Sequence, residues 1–375
     1  MLILIFVSKL VKIDAGILAE RPLPSTKIEQ RDFQNSMRAL VIKRPGEATI
    51  ESVPEPRLDH AKILLRVRMV GLCGSDLNTY RGRNPMVEFP RIPGHEIAAT
   101  VAERNPSTLG LAAGTNVTMS PYTNCGRCAS CLRGRPNACA VNETLGVQRD
   151  GALTEFISMP PEKLYPAPLT IKELCMVEPL TVGFHAIARG RVTAADKVAV
   201  FGCGGVGLGA IAASHFAGAT TIAVDLDDEK LRIARKSGAT HTVNSATSIL
   251  PGRLLELTDG RGPDVVIEAV GHPQTFRAAV EEVAFTGRVV YIGYAKELVA
   301  YETKLFVQKE LDILGSRNAL PADFQTVIQM LREGKFPVED AVGSIVSLEE
   351  APQILAEWSA HPAKFTKIMV RMDYP

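Results

Sequence analysis

The spacing of apolar residues changes about halfway along this chain. From residue 37 to about residue 181 the apolar residues fall in short runs, at 37–42, 63–70 and 97–103, separated by proline and glycine. Short runs punctuated in this way predict an irregular, mainly β domain with loops. From about residue 197 the texture alternates. Residues 197–201 form a short apolar strand, and 207–217 are small and apolar, as in a buried helix. Residues 221–224 are the next strand, ending at Asp225, and 229–237 are amphipathic and stop at Gly238. Residues 264–270 and 288–293 add two more strands of the buried type. Repeated β-α-β texture predicts an α/β domain with a parallel, doubly wound sheet and helices on both faces. After about Gly315 come helices and a last strand at 367–370, expected to pack back on the first domain.

The junction between strand 197–201 and the following helix carries the first candidate chemistry. Gly202, Cys203, Gly204, Gly205, Val206 and Gly207 read G-x-G-x-x-G. The strand-to-helix context lifts this motif above a chance match. Gly202 allows the tight turn, Gly204 lets the backbone approach a pyrophosphate, and Gly207 lets the helix pack near the sheet. The helix N-terminus offers free N–H groups to phosphates. Asp225 ends the second strand, 18 residues after Gly207. Its carboxylate suits both ribose hydroxyls and would repel a 2′-phosphate, which favours NAD over NADP. Taken without Asp225, the glycines also suit a plain strand-helix turn.

Cys125, Cys128, Cys131 and Cys139 lie within fifteen residues. Four thiolates at that density can close a tetrahedral shell around a structural zinc. An iron-sulfur cluster would call for a shorter last gap followed by proline, whereas here the gap is seven residues and Ala140 follows. With four of seven cysteines clustered, metal ligation outweighs a disulfide framework, which favours a reducing compartment, the cytoplasm. A formal net charge of +1 gives no footprint for nucleic acid, and no charge run suggests a membrane patch. The 375 residues allow two domains. Residues 1–36 read as an N-terminal extension, poorly ordered, either from an upstream start codon or as a real arm. Its apolar run at 2–7 is too short to span a bilayer and lacks the features of a signal peptide.

Three further residues of metal-ligand type are spread along the chain: Cys73 in G-L-C-G-S-D, His95 in G-H-E and Glu178 in E-P-L. Singly, each has an ordinary reading, as a buried small residue, a capped turn histidine and a solvated carboxylate. In their order with the four-cysteine lobe and the glycine turn, they make the chain resemble the zinc-containing medium-chain dehydrogenases. The resemblance is nearer the sorbitol and threonine dehydrogenase branch than the liver alcohol dehydrogenases, and it runs from about residue 37 to the C-terminus. It implies a GroES-like catalytic domain at 37–180 with a zinc lobe at 120–140. A nucleotide-binding Rossmann domain would follow at 181–316, with a return to the catalytic domain at 317–375. It implies a catalytic zinc among Cys73, His95 and Glu178. Glu96 is similar to a residue that can enter the metal shell, and which carboxylate binds directly stays open. Ser75 matches a proton-relay hydroxyl, Asp76 a carboxylate holding the ligand histidine, and Lys230 a lysine on the adenosine ribose.

The chain departs from many relatives at Asn78, where they carry a histidine at the outer end of the relay. The segment from Gly315 through Arg317 and Asn318 to Phe324 resembles bacterial sugar-acid 5-dehydrogenases of the L-galactonate or L-gulonate type. Arg317 would then bind a polar or anionic sugar-derived alcohol, with an ion pair to a neighbouring carboxylate as the alternative reading. The expected activity is NAD-dependent oxidation of a secondary hydroxyl to a ketone. Oxidation of L-threonine or a simple alcohol is the second reading, and a non-catalytic nucleotide-binding protein a remote third. The resemblance implies a homotetramer or homodimer. Cys175 and Cys203 read as buried small residues.

Overall fold

In the computed structural model the strand Ile63–Leu72 organises the first half of the chain; residues 36–57, 61–104 and 111–372 are described. It pairs antiparallel with Glu96–Arg104 on one side and with Ile368–Arg371 on the other. The seven-stranded order is Ser344–Ser347, Ile368–Arg371, Ile63–Leu72, Glu96–Arg104, Asn116–Met119, Leu164–Pro166, with Phe156–Met159 added on Ile63–Leu72. The last strand of the chain is therefore an inner strand of the first sheet. A hairpin, Ser36–Arg44 with Glu47–Pro54, stands beside it. Leu40, Ile42, Leu65, Val67, Ile97, Met119 and Val370 form one core. The expected strands at 37–42, 63–70 and 97–103 are each present and slightly longer. Residues 1–35, nearly all of the expected extension, lie outside the described residues.

The second sheet has six parallel strands in the order His241–Asn244, Thr220–Asp225, Lys197–Phe201, Val265–Glu268, Arg288–Tyr291, Asp312–Gly315. Both faces are covered, as a parallel sheet requires. Val198 and Val200 enter one core, and Ala199 and Phe201 the other. The chain runs outward from Lys197–Phe201 in one direction and returns to its other side at Val265–Glu268. The crevice at that reversal, at the carboxyl ends of the strands, is where ligands bind in open α/β sheets. The glycine turn opens directly onto it.

The helix Ile171–Arg189 is where the fold differs most from the sequence reading. A capping box starts it: Glu173 N–H donates to Thr170 Oγ1 at 3.2 Å, and Thr170 N–H to Glu173 Oε2 at 2.8 Å. It runs through Pro179, so the boundary drawn between residues 180 and 181 falls inside a continuous helix. This helix was not read from the sequence, and it keeps its course although Pro179 lacks the N–H for one rung. Its early part packs on the first sheet, where the Cys175 thiol donates to Glu96 O at 3.4 Å. Its later part packs on the nucleotide domain, where a Cβ on Gly183 would lie 2.1 Å from Ala210 N. Among the described residues, no helix is long and apolar enough to cross a membrane.

Candidate active site

Cys73 caps the short helix Gly74–Tyr80, His95 sits just before the strand Glu96–Arg104, and both are tied by one buried carboxylate. Asp76 Oδ2 accepts from Cys73 N–H at 2.8 Å, and Oδ1 accepts from Gly94 N–H at 3.1 Å. Oδ1 also lies 3.9 Å from His95 Nδ1, beyond a hydrogen bond, and Nδ1 is buried with no partner. Burial works against a positive His95, but the facing Asp76 and the Cys73 thiol outweigh it and hold the imidazole well above its ordinary value.

One ligand atom each of Cys73, His95 and Glu96 lie within 4.8 Å of one another. Glu178 is not in that triplet. Its carboxylate lines the same pocket and accepts a short hydrogen bond from the Tyr122 hydroxyl. Glu96 is buried against the Lys367 ammonium, which also donates to Leu72 O at 3.2 Å. Burial pushes the Glu178 carboxyl up to about 7, with His95 opposing and Glu96 reinforcing. Thiol, imidazole and carboxylates converging at a buried, acidic pocket floor are the donor set that suits zinc. Both carboxylates are placed where they could serve, Glu96 nearer the cysteine-histidine pair and Glu178 across from it. Tyr122 and Lys367 were missed from sequence, since neither belongs to a motif and each reaches the site only through the sheet.

The four-cysteine lobe tests a second metal. The Sγ atoms of Cys125, Cys128, Cys131 and Cys139 lie within 4.8 Å of one another. A tetrahedron with metal-sulfur bonds of about 2.3 Å has edges of about 3.8 Å, and Cys128 and Cys139 are 3.8 Å apart. A hydrogen bond from Ser130, then backbone N–H groups, lower the Cys128 thiol to about 5. Thiolate character is what a metal requires. All seven cysteines are free thiols, and Cys175 and Cys203 are buried.

At the glycine turn, three glycines lack a side chain for two different reasons. A Cβ on Gly207 would strike Gly202 O at 1.8 Å, so the protein's own packing forbids it. A Cβ on Gly204 or Gly205 would meet nothing within 4 Å. That open space above the N-terminus of helix Gly205–Phe216 fits a pyrophosphate. Asp225 is fixed at its rim: Oδ2 accepts from Cys203 N–H at 2.7 Å, and Oδ1 from Leu226 N–H at 2.8 Å and Asp227 N–H at 3.2 Å. Lys230 lies in the first turn of the next helix, Asp228–Lys236.

A single pocket of about 630 Å³ joins the Cys73, His95, Glu96 and Glu178 floor to the glycine turn at Val206. Cys73, Ser75, His95, Glu96, Glu178, Val206, Arg317 and Asn318 all line it. The Ser75 hydroxyl is buried with no partner. Asn78 is engaged across the cleft by Lys296, whose Nζ donates to its Oδ1 at 3.0 Å. Arg317 has no carboxylate partner among the described residues, so the ion-pair reading of this residue is not what the structure holds.

Comparison with known proteins agrees with this arrangement. Residues 59–169 match the alcohol dehydrogenase GroES-like domain, and residues 205–333 match the zinc-binding dehydrogenase family. The chain is 33% identical over 346 residues to sorbitol dehydrogenase of Bacillus subtilis, covering 89% of this chain and 97% of that protein. It is 28% identical over 306 residues to L-galactonate-5-dehydrogenase of Escherichia coli, covering 81% and 90%. An alcohol dehydrogenase of E. coli CFT073, solved with NADH, superposes with a TM-score of 0.83 at 26% identity, covering 90% and 99%. With both domain families matched in order, the chain belongs to the zinc-type medium-chain alcohol dehydrogenases, a family of oxidoreductases.

Proposed function

We propose that the chain is an NAD-dependent zinc dehydrogenase that oxidises a secondary hydroxyl of a polyol or sugar acid to a ketone. The observation that carries this reading is the single pocket in which the metal-ligand residues, the nucleotide turn and Arg317 meet. A zinc bound by Cys73, His95 and the carboxylates would supply Lewis acidity toward the hydroxyl, and NAD would accept the hydride. The remaining work falls to side chains of this chain. Asp76 holds the Cys73 and His95 turns in register. The unpartnered Ser75 hydroxyl can accept the substrate proton as it passes its own to water, since the Asn78 amide, held by Lys296, cannot carry it by titrating. Arg317 offers a guanidinium fork to a carboxylate or polyhydroxyl chain.

The test is NADH formation on polyols, sugar acids, L-threonine and simple alcohols, with and without a strong chelator. Chelator-sensitive turnover on polyols or sugar acids is expected. Arg317→Ala should raise KM for the sugar acid about tenfold, the loss of one charge-assisted contact. Turnover restricted to L-threonine or simple alcohols would overturn the substrate class.

The edge strand Asp312–Gly315 leaves one side of the six-stranded sheet unpaired, and Ile313, Phe285 and Val307 are exposed nearby in sequence or fold. Exposed edges of this kind are ready to pair with another chain. A homo-oligomer built on this edge is the expected state, and light scattering that gave a monomer at working concentration would exclude it.

A further inference from the structure

A second cavity, of about 340 Å³, opens between the cysteine lobe and the far end of the parallel sheet. Ile292, Tyr294, Ser316 and Arg317 line both it and the main pocket. Arg135 and Asn137, from the cysteine lobe, line only the second.

Its wall is fixed by a chain of buried hydrogen bonds. Asn137 Nδ2 donates to Arg317 O at 2.8 Å and lies 2.9 Å from His185 Nε2. A carbonyl oxygen can only accept, so the atom facing it must be the amide nitrogen. His185 therefore accepts at Nε2, and its Nδ1–H donates to Asp323 at 3.0 Å. The Asn318 amide donates in return to Asn137 O at 3.0 Å. Both hydrogens of the Asn137 amide are thus used, and its Oδ1 is left buried with no partner. The hydroxyl of Ser316, a residue 8% exposed, is a second buried polar group without a partner on the same cavity. Buried polar atoms are nearly always hydrogen-bonded, so two such atoms on one cavity call for a ligand or solvent partner.

The charge is one-sided. Neither Arg135 nor Arg317 pairs with a carboxylate among the described residues. Arg189 stands beside them, with Nε donating to Gly315 O at 3.2 Å. Burial, then the positive charges of Arg135 and Arg191, draw its guanidinium below its ordinary value. Asp323, bonded into this wall through His185, also accepts from Leu320 N–H at 2.7 Å, and Asp312 is paired with Arg191.

We propose that this cavity is an oxyanion subsite, which holds the acidic end of an elongated substrate whose hydroxyl lies in the main pocket. Arg135 and Arg317 supply the charge and the Ser316 hydroxyl donates to that end, while Asn137 Oδ1, which can only accept, takes a hydroxyl of the substrate chain beside it. This rests on the polyol or sugar-acid reading given above, and it gives the acidic end of the substrate, a terminal carboxylate or a phosphate monoester, a subsite of its own.

The experiment compares a neutral polyol, its aldonate and its terminal phosphate, in the native enzyme and in Arg135→Ala. Arg135 lies outside the residues assigned to zinc, NAD or proton transfer. In the variant, KM for the anionic members should rise about tenfold, with kcat little changed and the neutral polyol within about twofold. Arg135→Lys should recover part of the loss. The aldonate and phosphate arms decide which oxyanion is preferred. An equal effect on neutral and charged substrates, or none on either, overturns the subsite. Turnover of the polyol with no preference for the anions would leave the dehydrogenase reading intact and remove this one. If no panel member is turned over, titration of the zinc- and NAD-loaded enzyme with inorganic phosphate still decides it. Binding that weakens in Arg135→Ala supports the subsite, and binding that is absent or unchanged overturns it.

Discussion

Asp76→Ala should empty the metal position at the pocket floor while the four-cysteine lobe stays loaded. The two oxygens of this buried carboxylate accept from Cys73 N–H and Gly94 N–H, so one side chain sets the spacing of two ligand-bearing turns. It also supplies the negative charge facing His95 Nδ1. Alanine leaves both amide donors buried without acceptors and lets His95 turn. Loss of such a supporting partner costs about 10–100-fold in metal affinity or activity. Metal analysis should therefore fall from about two zinc ions per chain toward about one, as expected if only one of the two kinds of site is weakened. Turnover should fall with it and be partly restored by excess zinc. Asp76→Asn, which keeps one acceptor oxygen, should lie between. Undiminished zinc content and turnover in a folded Asp76→Ala protein would show that the two turns hold their geometry unaided.

Asp225→Ser should move the cofactor preference from NAD toward NADP. The carboxylate is held at the rim of the glycine turn by three backbone N–H groups, so it cannot swing away from an incoming phosphate. A fixed negative charge there rejects a 2′-phosphate and accepts ribose hydroxyls, a case of specificity obtained partly by repulsion. Removing it should raise kcat/KM for NADP and lower it for NAD. The ratio should change on the order of a hundredfold, about 2.7 kcal/mol of discrimination. The measurement is kcat/KM for both cofactors on one substrate. A ratio that did not move would place the discrimination elsewhere, with Lys230 the next residue to replace.

The elements were legible where their signal is local. The strands around the glycine turn, the amphipathic helix Asp228–Lys236 and the returning strand Ile368–Arg371 follow from apolar spacing and capping residues. The two groups of candidate metal donors also stood out in the sequence, because cysteine, histidine and carboxylate are few and their chemistry is narrow. What could not be read is what the sheet brings together. Lys367 meets Glu96 across 271 positions, and Tyr122 meets Glu178 across 56. No local pattern encodes such a pairing. The helix Ile171–Arg189 was not read from the sequence either, and its burial carries it past Pro179, which lacks one N–H.

That proline has a consequence for movement. The candidate ligands do not all ride on the same body. Cys73 and Glu96 flank or begin on strands of the first sheet and His95 directly precedes one, whereas Glu178 lies on a helix shared with the nucleotide domain. The early part of that helix is bonded to the Glu96 backbone through Cys175, and its later part is locked against Gly209 and Ala210. A rotation of one domain toward the other must be absorbed between those two anchors. The rung that Pro179 cannot form is the weakest point there, one residue from Glu178. Closing the cleft over a cofactor would therefore move Glu178 relative to Cys73, His95 and Glu96.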